Sequence, residues 1–310
     1  MKTISIVSGC YNEEDNVKEL YLKIKQVFST IEKYSYEHIF IDNCSTDNTV
    51  KIIKEIAQKD KNIKLIVNSR NFGPDRSGNY AIRQAKGDAV VIMASDLQDP
   101  PELIPQFIEK WEKGAKIILA VNKNSDESKI LFKVRKLYYW LIEKISETEQ
   151  IKNANGFGLY DRKAINAIIA IDDPLPYFRG LICEIGFEKA FIEFVKPIRK
   201  KGTSKNNIYS LYSTAMVGIT SYSKIPLRIA TFFGFIASIL SFFSGLFYFI
   251  YKLIYWNSFI VGIAPMVIGV FFMLSVQLFF IGIIGEYIGT IHTQVQKRPL
   301  IIEKERINFN

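Results

Sequence analysis

The sequence predicts an α/β domain with a mostly parallel sheet, followed by a two-helix transmembrane region. Two observations lead to this fold class. Short apolar runs alternate with longer amphipathic runs in the first part of the chain, and the stretches 229–251 and 253–285 carry no charged residue. Alternating strand and helix patterns favour a parallel sheet covered on both faces. Long uncharged runs favour membrane spans.

Five runs near the N-terminus have the length and composition of strands. In chain order they are TISIVSG, HIFIDN, IKLIVNS, DAVVIMAS and AKIILAV. After the first strand, apolar residues recur at helical spacing from Val17 to Ile31. The prolines of PPELIPQFIEKWEKG mark the start of another helix. Strands and helices therefore alternate along the chain.

The later part of the chain has the pattern of a membrane anchor. A bilayer core is crossed by about 20 apolar helical residues. The predicted division is an α/β domain at 1–206, an interfacial amphipathic helix at 207–228, two spans within 229–288 (about 229–252 and 260–285) and a cytoplasmic tail at 289–310. The alternative is a pair of buried core helices, which are normally much shorter.

Basic residues predict how the anchor is oriented. Lys224 and Arg228 precede the first span, several Lys and Arg residues follow the second, and only Lys252 lies between them. Positive residues favour the cytoplasmic side, so we expect the α/β domain and both termini there. The N-terminus has no apolar segment of the kind found in signal peptides.

The net charge of +9 is compatible with an anionic membrane surface and phosphate-bearing substrates, and we expect no nucleic-acid partner. The three cysteines lie far apart without metal-ligand spacing and are read as reduced cytosolic thiols. Short two-helix anchors often associate, so a homo-oligomer remains open.

Four polar segments follow the first four strands: GCYNEED, DNCSTDNT, NSRNFGPD and ASDLQDPP. Ligands of parallel sheets bind beyond the carboxyl ends of the strands. Loops rich in Asp, Asn, Ser and Gly at that edge indicate a polar, phosphorylated and metal-bound ligand. The chain has neither Gly-x-Gly-x-x-Gly nor Gly-Lys-Ser, which disfavours dehydrogenases and P-loop proteins.

The order and spacing of YNEE, DNCSTDNT, SRNFG and DLQDPPE, with the two spans and a late Arg-Pro pair, resemble family 2 glycosyltransferases of the GT-A fold. The similarity is greatest to membrane-anchored polyprenyl-phosphate sugar transferases, including dolichol-phosphate mannose synthases. The resemblance implies a hexosyltransferase. Such an enzyme would move a sugar, with inversion, from a nucleotide diphosphate sugar to undecaprenyl or dolichyl phosphate at the cytoplasmic membrane face.

The resemblance also implies site residues. Those expected to bind the nucleotide sugar are Gly9, Tyr11, Glu13, Asp42, Ser45, Asn71, Ser95, Arg199 and Lys205. The segments that contain these residues also have simpler interpretations. Asn12 could cap a helix, with the acids of YNEE beside it, and Ser45 and Asp47 could be turn or cap residues. The basic run 199–205 could contact anionic lipid.

The segment after the fourth strand implies the catalytic and metal residues. Asp96 and Asp99 are the expected catalytic residues, and Asp96 with Gln98 the expected ligands of Mg²⁺ or Mn²⁺. The family usually has Asp-x-Asp here, but Ala94 replaces the first carboxylate. Mg²⁺ commonly uses only one or two carboxylates. Asp99 could instead cap the helix that begins at the following prolines.

Two further departures bear on the acceptor. Gly156 stands where many relatives have an acidic residue, and Asn122 where an Arg is expected. A phosphate acceptor is already ionised near neutral pH and needs little general-base help, so the loss of the acidic residue at position 156 favours a lipid phosphate. Arg135 is the candidate that binds it, and Glu184 is an alternative acid, or an ion-pair partner of Arg179. The alternatives are a glycosyltransferase acting on a glycolipid or polysaccharide hydroxyl, or an inactive nucleotide-sugar-binding partner subunit.

Overall fold

The structure, a computed structural model, describes residues 1–123, 154–197, 208–255 and 263–309. The strands in these residues are β1 (Lys2–Cys10), β2 (Tyr34–Asp42), β3 (Ile63–Asn68), β4 (Ala89–Ala94), β5 (Ile117–Asn122), β6 (Ala154–Asp161), β7 (Lys189–Phe194) and β8 (Glu303–Ile307). They form one sheet in the order β7-β5-β6-β4-β1-β2-β3-β8. The five strands expected from the sequence are β1 to β5.

The helices of these residues are α1 (Val17–Ser29), α2 (Thr49–Lys59), α3 (Pro74–Gln84), α4 (Ile104–Glu112), α5 (Arg162–Ile171), α6 (Phe178–Glu184), α7 (Ile208–Tyr222), α8 (Ile225–Ile254) and α9 (Ile263–Val295), with a 3₁₀ turn at Pro101–Leu103. The chain is thus an α/β fold followed by two long helices.

The central strands β4, β1, β2 and β3 are parallel neighbours, and their carboxyl ends share one edge. Strand β6 is antiparallel to both β4 and β5. A hydrophobic core lies on each face of the sheet: Leu20 and Phe107 are buried in one, Ile82 and Ile165 in the other. Cover on both faces explains the near-continuous apolar runs of these strands.

The last strand corrects the predicted tail. Residues 289–310 were expected to form a tail, but α9 continues to Val295 and β8 then pairs antiparallel with β3. Lys54 pairs with Glu305 at 2.5 Å, and the Asn308 amide donates to two backbone carbonyls of the domain at 2.8 Å. The chain therefore returns from the long helices to the sheet edge.

Helices α8 and α9 have the length and composition of membrane spans, over Ile225–Ser244 and Gly269–Val295. Large apolar side chains on both are exposed in the isolated chain; Phe242 is 67% and Phe271 66% accessible. Such surfaces suit a lipid environment better than water. Helix α7 ends at Tyr222, so the predicted interfacial segment 207–228 includes the first turn of α8.

Hydrogen bonds connect the end of α7 and the residue after it to the C-terminal part of α9. The hydroxyls of Thr220 and Thr290 lie 2.9 Å apart, and the Tyr287 hydroxyl donates to the Ser223 carbonyl at 2.6 Å. On the domain side, Tyr222 packs against Tyr177 with ring centroids 5.9 Å apart. The long helices are thus joined to the α/β domain by packed rings and hydrogen bonds.

Candidate active site

The loops that follow β1, β2 and β4 are connected directly by hydrogen bonds. The Ser95 hydroxyl donates to the Gly9 carbonyl at 2.9 Å, and the Asn43 N–H donates to the Cys10 carbonyl at 2.9 Å. The Asn12 N–H donates to the Ser45 hydroxyl at 2.8 Å. These bonds place the polar loops at one edge of the sheet, as their positions after parallel strands predict.

Open space lies above the end of β1. Gly9 is exposed, and a Cβ added there would meet no atom within 4 Å. Tyr11 follows and is half-buried, whereas Ser95 is buried beneath the Gly9 carbonyl. A ligand can therefore approach the backbone of Gly9 closely. The hydrogen bond from the Ser95 hydroxyl to the Gly9 carbonyl holds the Gly9 backbone in place.

The YNEE segment is held by the loop after β2. Asn12 has a φ of 54°, a left-handed conformation that Asn tolerates, and its Oδ1 accepts from the Thr46 N–H at 2.8 Å. The Glu13 N–H donates to the Thr49 hydroxyl at 2.8 Å, and its carboxylate accepts from Asn16 at 2.6 Å. The alternative in which Asn12 caps a helix is wrong, because the residue before α1 is Asn16.

Asp42 is fully buried at the end of β2. One carboxylate oxygen accepts from the Ser45 N–H at 2.9 Å, and the other accepts from the Ser45 hydroxyl. Burial raises the pKa of Asp42, although the Ser45 and Cys44 hydrogen bonds oppose that rise. Cys44 between them has a φ of 66°. Asp42 and Ser45 thus organise this loop, and their contact with a nucleotide stays a prediction.

Asp47 is a turn residue, as the simpler interpretation held. Its Oδ1 accepts from the N–H and the hydroxyl of Thr49 at 3.0 and 2.6 Å, and its Oδ2 accepts from the Glu14 N–H at 3.2 Å. Burial opposes ionisation, but the Thr49 and Glu14 bonds outweigh it and lower the pKa of Asp47. Asp47 therefore stabilises the start of α2 and its contact with the YNEE loop.

Asn43 is the centre of an amide network that sequence reasoning missed. Its Oδ1 accepts from Asn68 Nδ2 at 3.1 Å, from the Phe72 N–H at 2.9 Å and from the Ser77 hydroxyl at 3.0 Å. Its Nδ2 donates to Asn71 Oδ1 at 2.8 Å. Asn71 was expected at the nucleotide; here its oxygen also accepts from the Gly73 N–H at 2.9 Å and so shapes the loop before α3.

The turn after β4 presents Asp96. Asp96 is half-buried, and its Oδ1 accepts from the Gln98 N–H at 3.1 Å across Leu97, whose φ is 62°. Gln98 Nε2 donates to the Pro197 carbonyl at 3.2 Å. Asp99 is buried, and its Oδ2 accepts from the Ala94 N–H at 2.9 Å. Asp99 thus braces the strand end that carries Asp96 and does not cap the following helix, while its catalytic role stays a prediction.

The donor set around Asp96 limits how a metal ion would bind. In the described residues no group of three or more His, Cys, Asp or Glu side chains could hold one. Asp96 contributes a carboxylate, and the Gln98 side-chain oxygen is not used by the bond that its Nε2 makes. These residues fit Mg²⁺ or Mn²⁺ only as an ion shared with substrate phosphates, which is a common arrangement for Mg²⁺.

Two sets of residues from the sequence analysis remain: three predicted basic site residues, and two positions that depart from the family pattern. Arg135, Arg199 and Lys205 lie outside the described residues. Of the residues that depart from the family pattern, Gly156 has a φ of 94°, and Asn122 Oδ1 accepts from the Lys196 N–H at 3.2 Å. A φ in this region favours glycine, so the backbone of β6 itself explains why a side chain is absent at position 156.

The acidic alternative Glu184 is the exposed last residue of α6. Its suggested partner Arg179 lies near Asp75 at the start of α3. Burial raises the pKa of Asp75, and the Arg179 charge opposes that rise. Although nearby protein atoms desolvate its carboxylate, Asp75 as a whole is exposed to solvent. The charge of Arg179 therefore acts on Asp75 at the start of α3, an interaction that the sequence did not indicate.

Comparison with known proteins identifies the family. The glycosyl transferase family 2 model matches residues 5–173, which is more than half of the chain. The chain belongs to glycosyl transferase family 2. It is therefore a glycosyltransferase with a GT-A-like α/β fold, as the four loop motifs predicted.

Several relatives match nearly the whole chain. An uncharacterized glycosyltransferase of Synechocystis is 34% identical over 96% of this chain and 94% of its own. The bactoprenol glucosyl transferase of Shigella phage SfII is 34% identical over 97% of both chains. Among solved structures, glucosyl-3-phosphoglycerate synthase of Mycobacterium tuberculosis aligns with 71% of this chain and 78% of its own, at 17% identity and a TM-score of 0.48.

Proposed function

We propose that this glycosyltransferase moves a hexose, with inversion, from a nucleotide diphosphate sugar to a polyprenyl phosphate at the cytoplasmic membrane face. The observation that carries the proposal is the similarity to bactoprenol glucosyl transferases, which spans 97% of both chains and so includes the two apolar helices. A similarity confined to the α/β domain would not bear on a lipid acceptor.

The donor half of the proposal rests on the loop network at the sheet edge. The open space at Gly9 would admit the diphosphate or ribose next to the backbone, and Tyr11 and Glu13 follow Gly9 in the same loop. The hydrogen bonds of Asp42, Asn43 and Ser95 hold the loops in place before any ligand binds. Rigid positioning of this kind lowers the entropic cost of orienting the substrate.

In the proposed reaction, an oxygen of the lipid phosphate attacks the anomeric carbon of the sugar. The new bond joins that carbon to the lipid phosphate, and the bond to the donor diphosphate breaks, with its electron pair passing to the diphosphate. One displacement inverts the configuration. A dianionic phosphate brings no proton to remove, so Gly156 in place of an acidic residue costs the reaction little.

The charge that grows on the leaving diphosphate requires stabilisation. Asp96 and Gln98 would hold a divalent metal ion together with the diphosphate, and that ion would supply positive charge at the leaving oxygens. Asp99 keeps the Asp96 turn in register with β4 through its bond to the Ala94 N–H. Arg199 and Lys205 are the expected protein cations at the same diphosphate.

The two long helices have a role in this proposal beyond anchoring. A polyprenyl phosphate is confined to the membrane, with its phosphate at the surface. Helices α8 and α9 would keep the active site at that surface, so the acceptor is met locally and at high effective concentration.

A donor screen tests the proposal. Full-length protein in lipid nanodiscs is given a panel of radiolabelled nucleotide sugars, with undecaprenyl phosphate in one series and undecaprenol in the other. We expect one donor to label the lipid only in the phosphate series, with the product anomer inverted relative to the donor. Equal labelling of undecaprenol would favour a hydroxyl acceptor. Donor binding without labelled product in either series, or with glycolipid acceptors, would favour the inactive-subunit alternative.

A further inference from the structure

Three arginines that the proposed reaction does not use lie together at the start of α3. The guanidinium carbons of Arg70 and Arg76 lie 4.0 and 5.6 Å from the centre of the Phe72 ring. An Arg76 Nη2 donates to the Pro299 carbonyl at 2.6 Å, which brings the neighbouring Arg298 to the same place. Residues far apart in sequence thus form one basic cluster, named here the arginine cluster: Arg70, Arg76 and Arg298.

The arginine cluster has no paired carboxylate within the described part of the chain. No carboxylate of the described residues forms an ion pair with any of its three members. Arg76 Nε is buried and has no hydrogen-bond partner among the residues that the structure describes. Burial lowers the pKa of Arg76, and the charges of Arg70 and Arg298 lower it further. Like charges and an unused buried donor are costly unless an anion binds to them.

The position of the cluster relates it to the membrane. Arg298 lies three residues after the end of α9, where the chain leaves the second candidate span, and Arg70 and Arg298 are exposed. The cluster therefore lies where the chain passes from the candidate span to the sheet. An anion there would be reached most directly from the lipid surface.

A cavity of about 160 Å³ adjoins the cluster at Arg76. Most of its wall is apolar and comes from the start of α3, the segment before α6, and α7: Phe72, Pro74, Leu175, Pro176, Tyr177 and Val217. Asp75 also lines it, but the opposing charge of Arg179 lies nearby. An apolar cavity with an arginine in its lining suits a molecule that has an anionic head and a hydrocarbon chain.

We propose that Arg70, Arg76 and Arg298 bind the phosphate monoester head of a membrane lipid, and that the adjoining cavity takes the first apolar segment of its chain. A monoester is favoured because it carries nearly two negative charges at neutral pH, which three guanidinium groups balance better than one. Guanidinium groups also bind phosphate oxygens in paired hydrogen bonds. Identifying this lipid as the sugar acceptor rests on the proposed function, whereas the binding itself does not.

Calorimetric titration of detergent-solubilised full-length protein tests this site. The probe is farnesyl phosphate, and the comparison titrants are farnesol, inorganic phosphate and phosphatidylglycerol. We expect farnesyl phosphate to bind far more tightly than the other three. Arg298→Gln should weaken that binding about tenfold to a hundredfold, the effect of losing a charge-assisted hydrogen bond. Arg76 is left intact because it holds the Pro299 carbonyl.

Arg228→Gln is the matched control, since Arg228 is an exposed basic residue at the other membrane flank; we expect it to change the affinity less than twofold. Thermal unfolding of each variant checks that the fold is retained. Unchanged affinity in Arg298→Gln, equal binding of inorganic phosphate or phosphatidylglycerol, or displacement of farnesyl phosphate by nucleoside diphosphates would each overturn the site. Turnover is not measured, so an enzyme with another acceptor would leave the binding result intact.

Discussion

The packing of Gly180 against Tyr222 joins α6 of the α/β domain to the end of α7, the helix that precedes the two candidate spans, and Gly180→Ala tests that joint. A Cβ added at Gly180 would lie 2.9 Å from Tyr222 Cδ2 and still closer to Cε2 and Cζ. Ordinary carbon contacts begin near 3.4 Å, so the ring must move by more than half an ångström. Tyr222 is buried and flanked by the ring of Tyr177, which restricts that movement.

Overpacking of this kind costs about 1–3 kcal/mol, and replacing a helical glycine returns up to about 1 kcal/mol. We therefore expect Gly180→Ala to lower the stability by about 1–2 kcal/mol. At about 2–4 °C per kcal/mol for a chain of this size, Tm should fall by several degrees in differential scanning fluorimetry of the detergent-solubilised protein.

Gly78→Ala is the control for this experiment. Gly78 lies within α3, and a Cβ there would meet no atom within 4 Å. Only the gain in helix propensity remains, so its Tm should stay the same or rise slightly. If Gly180→Ala were as stable as Gly78→Ala, the contact between α6 and the end of α7 would not be as tight as described.

Two further predictions concern buried polar residues, His38 in β2 and Asn43 in the loop that follows it. Burial lowers the pKa of His38 to about 3, so the unfolded chain binds a proton that the folded chain does not, from about pH 6.5 down to about pH 3. Stability should fall by up to about 1.4 kcal/mol for each unit of decreasing pH. The fall should be smaller in His38→Gln, whereas a variant of the exposed His292 should retain the full slope. Equal slopes of Tm against pH in the two variants would contradict this prediction. Asn43→Ala removes four hydrogen bonds, two of them buried and two partly buried, and should cost about 3–4 kcal/mol in urea unfolding. Asn166→Ala, on the exposed face of α5, should cost almost nothing. Similar losses in both variants would remove Asn43 from the centre of the network.

The sequence predicted the part of the fold that is encoded locally. Strands β1 to β5 and helices α1 and α4 were indicated by local apolar patterns and by prolines at a helix start, and the polar loops follow the strands. Strand β8 was missed because its sequence, EKERI, is short and highly charged. Its pairing with β3 depends on where the long helices return the chain, which no local pattern encodes.

The same distinction applies to the site. The sequence indicated which loops meet, but not which side chains would be used to hold them there. Nothing in the sequence pattern indicated Asn43, whose side-chain oxygen accepts from three donors and whose Nδ2 donates to Asn71; a carboxylate at this position would have no donor for Asn71. The arginine cluster was likewise hidden, because Arg298 is more than 200 residues from Arg76 and only the fold brings them together.

The role of Asp96 in sugar transfer to a lipid phosphate is the central claim. Its most direct test is the initial rate of sugar transfer to undecaprenyl phosphate in nanodiscs, with the donor identified by the screen. Asp96→Asn keeps an oxygen that can accept from the Gln98 N–H but loses the charge, and the control Glu32→Gln loses an exposed carboxylate elsewhere. We expect Asp96→Asn to lower kcat by about 10² or more, with unchanged Tm and with Glu32→Gln like the wild type. A rate for Asp96→Asn within a fewfold of the wild type would contradict the account.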